Sequence, residues 1–237
     1  MGFDITFHTI RRDALELRYL SRLPEIARGD ESGARQVAAD AGLSAESLDT
    51  YLYILQTGAK KDPADPALVL ENTHAYFACA VSGLFDRYWY ARDACFTFLL
   101  EDPDTAPLFQ GAFSTWRDLV PELPGACEGR IPENWAAGAV ASPAQCRALA
   151  SSIAAGDERG QAIARHFGPF LPSLTSALQA AVLKNAWLAE ATEVIEPDPM
   201  DPGASECVSD AANCDPAGLK AWHELALAQL RDAGWEG

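Results

Sequence analysis

Four charged residues interrupt the most aromatic stretch of the sequence, FDRYWYARDACF (85–96). Charged side chains in such apolar surroundings must either form ion pairs or face a cleft. Pairing inside the core is the first interpretation. In the second, arginines and tyrosines line a pocket that binds a small anion. The residues of this candidate ligand pocket are His74, Arg87, Tyr88, Tyr90 and Arg92.

Carboxylates dominate a second stretch, residues 190–215, which contains eight acidic residues and no lysine or arginine. The prolines within it predict a largely irregular loop, and the spacing does not match a calcium-binding loop. A solvated acidic loop is one interpretation. A docking surface for a basic protein partner is the other. The candidate partner-binding residues are Glu190, Glu193, Glu196, Asp198, Asp201, Glu206 and Asp210.

Familiar catalytic patterns are missing from the sequence. It has no phosphate-binding loop of the P-loop or dinucleotide type, no GxSxG nucleophile elbow and no HExxH motif. Asp4 and His8 share one face of a predicted strand, but residues four apart on a strand lie about 13 Å apart and do not bind one ion. We therefore predict no catalytic residue, no metal site and no cofactor.

The chain of 237 residues is strongly acidic, with a formal net charge of -16 at pH 7. This charge repels phosphates and argues against nucleic acid as a partner. No uncharged apolar span is long enough for a membrane helix. The first ten residues lack the basic and apolar regions of a signal peptide, so we expect a cytoplasmic protein with reduced cysteines. Cys207 and Cys214 would pair only in an oxidising compartment.

The predicted elements that position these residues are mostly helices. Apolar residues alternate with polar ones over residues 3–8, which indicates a strand. The aromatic stretch is too long for one straight helix. We predict a helix over about 70–84, a bend at Tyr88-Trp89-Tyr90, and a second helix over about 90–100.

Capping signals place further helices along the chain. They are predicted over residues 11–28 with a break at Pro24, 33–41, 45–57, 143–155, 158–167, from 172 or 173 to about 193, and 216 to about 233. Weak strand candidates lie at 139–141 and 194–195. The predicted fold class is mainly α, a compact helical domain with one N-terminal β-strand and at most a small sheet. We expect a single domain over 1–237, with a proline-rich connection near 59–66 and an acidic loop at 190–215.

Three segments carry a resemblance to a known class of protein: MGFDITFHTI at the start, RYWYARDACF (87–96) and ENWAAGAVASPAQCRALASSI (133–153). They resemble acidic bacterial proteins of the toxin-immunity type, which are encoded beside polymorphic or type VI secretion toxins. The resemblance implies a protein-binding, toxin-neutralising role and identifies no catalytic residue in this sequence. Immunity proteins often block a toxin's active site with acidic residues.

The expected function is therefore that of a non-enzymatic bacterial binding protein. It would be an immunity protein that neutralises a basic toxin through its acidic surface. The alternative is an enzyme or small-anion-binding protein with its pocket at the Tyr88-Trp89-Tyr90 bend. A deep cleft that meets those side chains would favour the alternative, whereas a closed core with an acidic face would favour the binding protein.

Overall fold

A four-stranded antiparallel sheet, in the strand order β2-β1-β4-β3, lies at the centre of the protein. The computed structural model describes residues 2–61, 73–122, 129–201 and 204–234. A small second sheet pairs two short strands. The strands are β1 (Asp4–Ile10), β2 (Tyr88–Arg92), β3 (Ala137–Ala141), β4 (Trp187–Thr192), β5 (Ile195–Glu196) and β6 (Glu206–Cys207).

Helices of very different lengths connect these strands. In chain order they are α1 (Arg12–Leu15), which continues as a π-helical turn (Glu16–Leu20), α2 (Leu23–Ala27), α3 (Ser32–Ala41), α4 (Ala45–Lys60), α5 (His74–Phe85), α6 (Phe96–Glu101), α7 (Trp116–Leu119), α8 (Pro143–Ala155), α9 (Glu158–Phe167), α10 (Leu171–Lys184) and α11 (Pro216–Asp232). Within the described ranges, none of them is both long enough and apolar enough to cross a membrane.

Helices cover both faces of the four-stranded sheet. α10 lies against β1, β2 and β4 on one face, and α5 lies against β1, β3 and β4 on the other. Ile5 and Phe7 belong to the hydrophobic core on the α10 side, whereas Ile10 belongs to the core on the α5 side. Because both faces are covered, every residue of β1 is buried, including the polar Thr6 and His8.

The predicted fold class is wrong, because the protein is a mixed α/β structure and not a helical domain with one strand. The segment around Tyr88, Trp89 and Tyr90, predicted as a bend and the start of a helix, forms strand β2. All three aromatic residues are buried. A strand buried on both faces loses the alternation of apolar and polar residues that marks a half-exposed strand.

Strand β4 replaces the end of the helix predicted to reach about residue 193. α10 ends at Lys184, and Asn185 takes a left-handed conformation (φ 48°) that stops the helix. Alanines favour helix on local propensity. Here Ala189 and Ala191 belong to the core on the α5 side, where small side chains let that helix pack closely on the sheet. Tertiary packing therefore overrides local propensity.

Elements with strong local signals are confirmed. β1 forms where the alternation predicts it, although its neighbours are β2 and β4 rather than residues 139–141 or 194–195. Ser142 and Gln145 form a capping box at the start of α8, and Gly156 (φ 63°) ends that helix. α9 has its predicted bounds. The proline-rich connection predicted near 59–66 lies outside the described residues from 62 onward.

The outer edge of β2 is closed by the C-terminal part of the chain. The Tyr88 carbonyl accepts a hydrogen bond from the Asp215 N–H at 2.7 Å. The Tyr90 carbonyl accepts one from the Ser173 hydroxyl at 2.8 Å. Gly218 lies so close that a Cβ atom there would overlap the Tyr90 carbonyl oxygen. α11 therefore covers an edge that would otherwise be open to pairing with another chain.

The Gly218→Ala substitution should destabilise the protein. The new methyl group meets backbone atoms, so α11 must move away from β2, and we expect a loss of about 1–3 kcal/mol in the free energy of unfolding. Chemical denaturation measures this loss.

Gly33→Ala is the matched control, since Gly33 is also helical but its Cβ would meet only the side-chain ends of Arg22 and Glu25. This variant should be neutral or stabilised, because alanine favours helix over glycine. Equal effects of the two substitutions would contradict the close packing of α11 on β2.

Candidate functional site

Three residues of the predicted ligand pocket lie on β2 and bond to their neighbours. The Tyr90 hydroxyl donates to one carboxylate oxygen of Asp4 at 2.5 Å, and the other oxygen accepts from the Arg92 guanidinium at 2.6 Å. The guanidinium also lies 5.1 Å from the ring centre of Trp222. Tyr88 is fully buried. Arg92 therefore pairs mainly with Asp4, a residue outside the aromatic stretch.

The other two residues of that predicted pocket lie elsewhere. Arg87 forms an ion pair with Asp215 at the surface. His74 is buried on α5, where its Nδ1 atom lies 2.6 Å from the Tyr19 hydroxyl, and burial lowers its pKa to about 4. His74 and Arg92 line different clefts. The structure therefore does not gather the five residues around one pocket.

The predicted partner-binding residues separate into buried and exposed groups. Glu190 is buried within β4 and Glu193 is buried just beyond its end, which removes both from a docking surface. Asp210 is half-buried and accepts a hydrogen bond from the Ser47 hydroxyl at 3.0 Å. The exposed members lie on β5, on β6 or between them: Glu196, Asp198, Asp201 and Glu206. We call residues 195–207 the acidic hairpin; positions 202 and 203 lie outside the described residues.

Glu190 occupies the middle of the sheet, directly opposite Phe7. Its carboxylate accepts hydrogen bonds from the N–H groups of Phe96 and Thr97, the latter at 3.2 Å. It also accepts from the Thr97 hydroxyl at 2.8 Å and from the Ala139 N–H at 3.1 Å. Phe96 and Thr97 begin α6, whose own N-cap residue provides no side-chain cap. A glutamate from a distant strand therefore caps this helix.

The donors to Glu190 are all neutral, so the carboxylate is buried beside dipoles rather than beside a cation. Burial raises the pKa of Glu190 to about 7, and the hydrogen bonds oppose this rise. The group is 1% exposed. Its role is structural, because it joins β4, β3 and α6 without reaching solvent.

Two neighbouring acidic residues, Asp4 and Glu193, lie at the start of β1, close to the acidic hairpin. Glu193 accepts a hydrogen bond from the Asp4 N–H at 3.3 Å and donates its own N–H to the Asp4 carbonyl at 2.8 Å. Burial and the Asp4 carboxylate raise the pKa of Glu193 to about 7. Its left-handed backbone (φ 54°) turns the chain out of the sheet. These two acids form the base of the acidic hairpin.

Two glutamates stand directly opposite each other on the acidic hairpin. Glu196 of β5 pairs in register with Glu206 of β6, a position where like charges repel. Burial raises the pKa of Glu196, and the Asp4 and Glu206 carboxylates raise it further. In the described part of the chain, no lysine or arginine forms an ion pair with Glu196, Asp198 or Glu206. These three carboxylates therefore present negative charge to solvent without an ion pair to a described lysine or arginine.

Comparison of the chain with protein-family models, with curated proteins and with solved structures finds no match. Across the described residues, no group of three or more histidine, cysteine, aspartate or glutamate side chains is placed to hold a metal ion. Cys207 and Cys214 are free thiols. Function must therefore be inferred from the chemistry of the site itself.

Replacing Glu190 by glutamine should change how stability depends on pH. Because the pKa of Glu190 is raised from 4.5 to about 7 in the folded protein, the folded state keeps a proton that the unfolded chain has already released. The favourable contribution of this group is complete below the unfolded pKa and is lost as the pH rises through the folded pKa. We expect the stability of E190Q relative to wild type to increase by about 3 kcal/mol between acidic and mildly alkaline pH.

Urea unfolding of both proteins at several pH values measures this difference. Glu158→Gln, at an exposed glutamate in the first turn of α9, is the control and should follow wild type at every pH. A difference between E190Q and wild type that stays constant with pH would contradict the raised pKa.

Proposed function

We propose that this chain is a non-enzymatic bacterial binding protein that acts in the cytoplasm as an immunity protein and neutralises a basic toxin. The observation that carries the proposal is the exposed Glu196–Glu206 pair of the acidic hairpin. Two like charges held opposite each other lower the stability of the free protein. A partner that places a lysine or arginine against them removes this repulsion on binding.

Two contacts restrain the backbone of the acidic hairpin in the free protein. At its base, the Val208 N–H donates to the Val194 carbonyl at 3.0 Å. Farther out, the Nδ1 atom of His223 on α11 lies 2.5 Å from the Pro199 carbonyl oxygen. A backbone restrained in this way loses less conformational freedom on binding, which favours affinity.

An apolar side chain lies among these carboxylates. Met200 is 45% exposed, although it is one of the large hydrophobic residues of the chain. The N–H of Met200 donates to the Asp198 carboxylate at 2.7 Å, which sets the direction of the local turn. Methionine is enriched in protein interfaces, and an apolar centre with a charged rim is a common interface arrangement. These features support a protein partner rather than a free ion.

The proposed mechanism combines electrostatic attraction with steric occlusion. A net charge of -16 attracts a basic protein at long range, and the hairpin then covers the toxin's cationic substrate-binding surface. The acidic residues need no chemistry of their own for this function. Added salt screens the attraction and should slow association.

Affinity capture tests the proposed function directly. The tagged chain is used as bait in a lysate of the source bacterium at about 50 mM and about 500 mM salt. We expect it to retain a basic protein at the lower salt concentration, and we expect co-expression of the chain to restore growth of cells that make that protein. Failure to retain any basic protein at the lower concentration would overturn the proposal.

Glu206→Lys should stabilise the free protein and weaken the complex. Lysine opposite Glu196 replaces repulsion by attraction, which we expect to raise the free energy of unfolding by about 0.5–1 kcal/mol. The same change should reduce partner retention by at least about tenfold, because it removes one of the proposed contacts and repels a cation. Denaturation and quantitative capture provide the two measurements.

Glu158→Lys on α9 changes the net charge equally but lies outside the acidic hairpin. It should leave partner retention close to that of wild type. Equal losses in the two variants would show that overall charge, and not the hairpin, controls binding.

A further inference from the structure

Positive charge is concentrated at one cleft of this acidic protein. The cleft has a volume of about 220 Å³ and lies where the end of β1 meets α1, α5 and α10. Three basic residues and one acidic residue line it: Arg11, Arg18, Lys184 and Asp86. The sequence gives no local signal for this site, because its charged residues come from three distant parts of the chain: residues 11–18, Asp86 and Lys184.

The single carboxylate does not balance the cations around it. Asp86 accepts from the Arg18 guanidinium at 2.5 Å and lies 3.5 Å from the Lys184 ammonium group. One carboxylate is therefore shared between two cations, and the lysine contact is long for a charge-assisted hydrogen bond. Arg11 pairs with Asp13 on the exposed side. One positive charge remains unmatched in the cleft.

The cationic groups are positioned before a ligand arrives. The Arg18 guanidinium lies 4.6 Å from the ring centre of Phe85, and its side chain is 24% exposed. The Lys184 ammonium group lies 3.4 Å from the Thr9 hydroxyl. A guanidinium and an ammonium fixed in this way bind an anion with little loss of side-chain freedom.

The floor of the cleft is apolar. It is formed by small or branched aliphatic side chains of β1, α1 and α5: Ile10, Ala14, Leu15, Ala78 and Val81. A ligand must therefore combine an anionic group at the rim with an apolar body on the floor. The volume of the cleft lies below that of pockets that bind drug-sized ligands, so the apolar part of the ligand must be short.

A π-helical turn forms part of the cleft wall. Residues Glu16–Leu20 continue α1 with the backbone hydrogen bonds of a π-helix, and Arg18 lies at the middle of this turn. π-Helical turns are rare and occur frequently at functional sites, since they place a side chain differently from a regular helix. The turn is a second observation, independent of charge, that points to a ligand at Arg18.

We propose that this cleft binds a small organic anion, in which a carboxylate is attached to a short apolar body. The carboxylate bonds to Lys184 and Arg18, and the apolar body covers the Ala14 and Val81 side chains. Asp86 competes with the ligand for both cations and limits its affinity. This site is separate from the acidic hairpin, and the proposal does not depend on the partner-binding function.

Calorimetry with benzoate, benzamide and acetate tests the proposal. Benzamide has the shape of benzoate without its charge, and acetate has the charge without the ring. We expect benzoate to bind at least about tenfold more tightly than either compound. Equal affinity for benzoate and benzamide would overturn the role of the cations, and equal affinity for benzoate and acetate would overturn the role of the apolar floor.

Three substitutions locate the binding site. Lys184→Gln removes a cation that is 41% exposed, and Ala14→Leu fills the cleft without changing charge; each should weaken benzoate binding by about tenfold or more. Asp86→Asn frees both cations and should strengthen binding. Arg165→Gln, at an exposed arginine of α9, is the control and should have no effect.

The outcomes of these measurements are distinct. Thermal unfolding without ligand confirms that each variant is folded, and the ligand-induced shift in Tm provides a second measure of binding. Benzoate binding that is unchanged in both Lys184→Gln and Ala14→Leu overturns the proposal, as does the absence of benzoate binding to wild type. Tighter binding by Asp86→Asn is expected only if the anion meets the two cations that Asp86 shares.

Discussion

The buried carboxylate of Glu190 is the interaction on which the centre of the structure depends. It joins β4 to the first turn of α6 and to β3, three parts of the chain that are distant in sequence. Removing this acceptor would leave several buried N–H groups without a partner. The free-energy cost of an unpaired buried donor exceeds the net stabilisation that an average hydrogen bond provides. Glu190 therefore fixes these three elements to one another from inside the core. The same carboxylate also sets the register of β3, because the Ala139 N–H bonds to Glu190 where the β3–β4 pairing shifts.

Local signals predict the helices with caps and the one alternating strand, and they fail where burial is complete. The capping box at Ser142 and the stop at Gly156 act within a few residues, so the sequence displays them. β2 and β4 depend on helices packed against both faces. A strand buried on both faces carries no alternation, and alanines in β4 favour a helix until α5 is known to lie against them. The error in fold class follows from these two strands.

The candidate sites follow the same rule as the fold: local composition is visible in the sequence, whereas contacts between distant residues are not. Charge composition identifies the acidic stretch, and its exposed residues lie on the acidic hairpin. Its first member, Glu190, does not belong to that hairpin, and nothing in the sequence distinguishes a solvated carboxylate from one that caps a distant helix. The opposition of Glu196 and Glu206 depends on strand register, which two-residue strands do not reveal in sequence. Arg92 and Tyr90, predicted to line a ligand pocket, both bond to Asp4, which lies more than eighty residues away in the sequence.

The acidic hairpin and the cleft lined by Arg18 and Lys184 lie at opposite ends of strand β1. β1 begins at Asp4, beside Glu193 and the acidic hairpin, and ends at Ile10, beside the cationic cleft. Its seven residues separate the two by about 20 Å, more than a Debye length at physiological salt. A basic partner of the proposed kind would be attracted more strongly to the acidic end of the sheet than to the end with the cations, which would favour one orientation of approach. An anion in the cleft would reduce this difference between the two ends and weaken the preferred orientation without touching the hairpin.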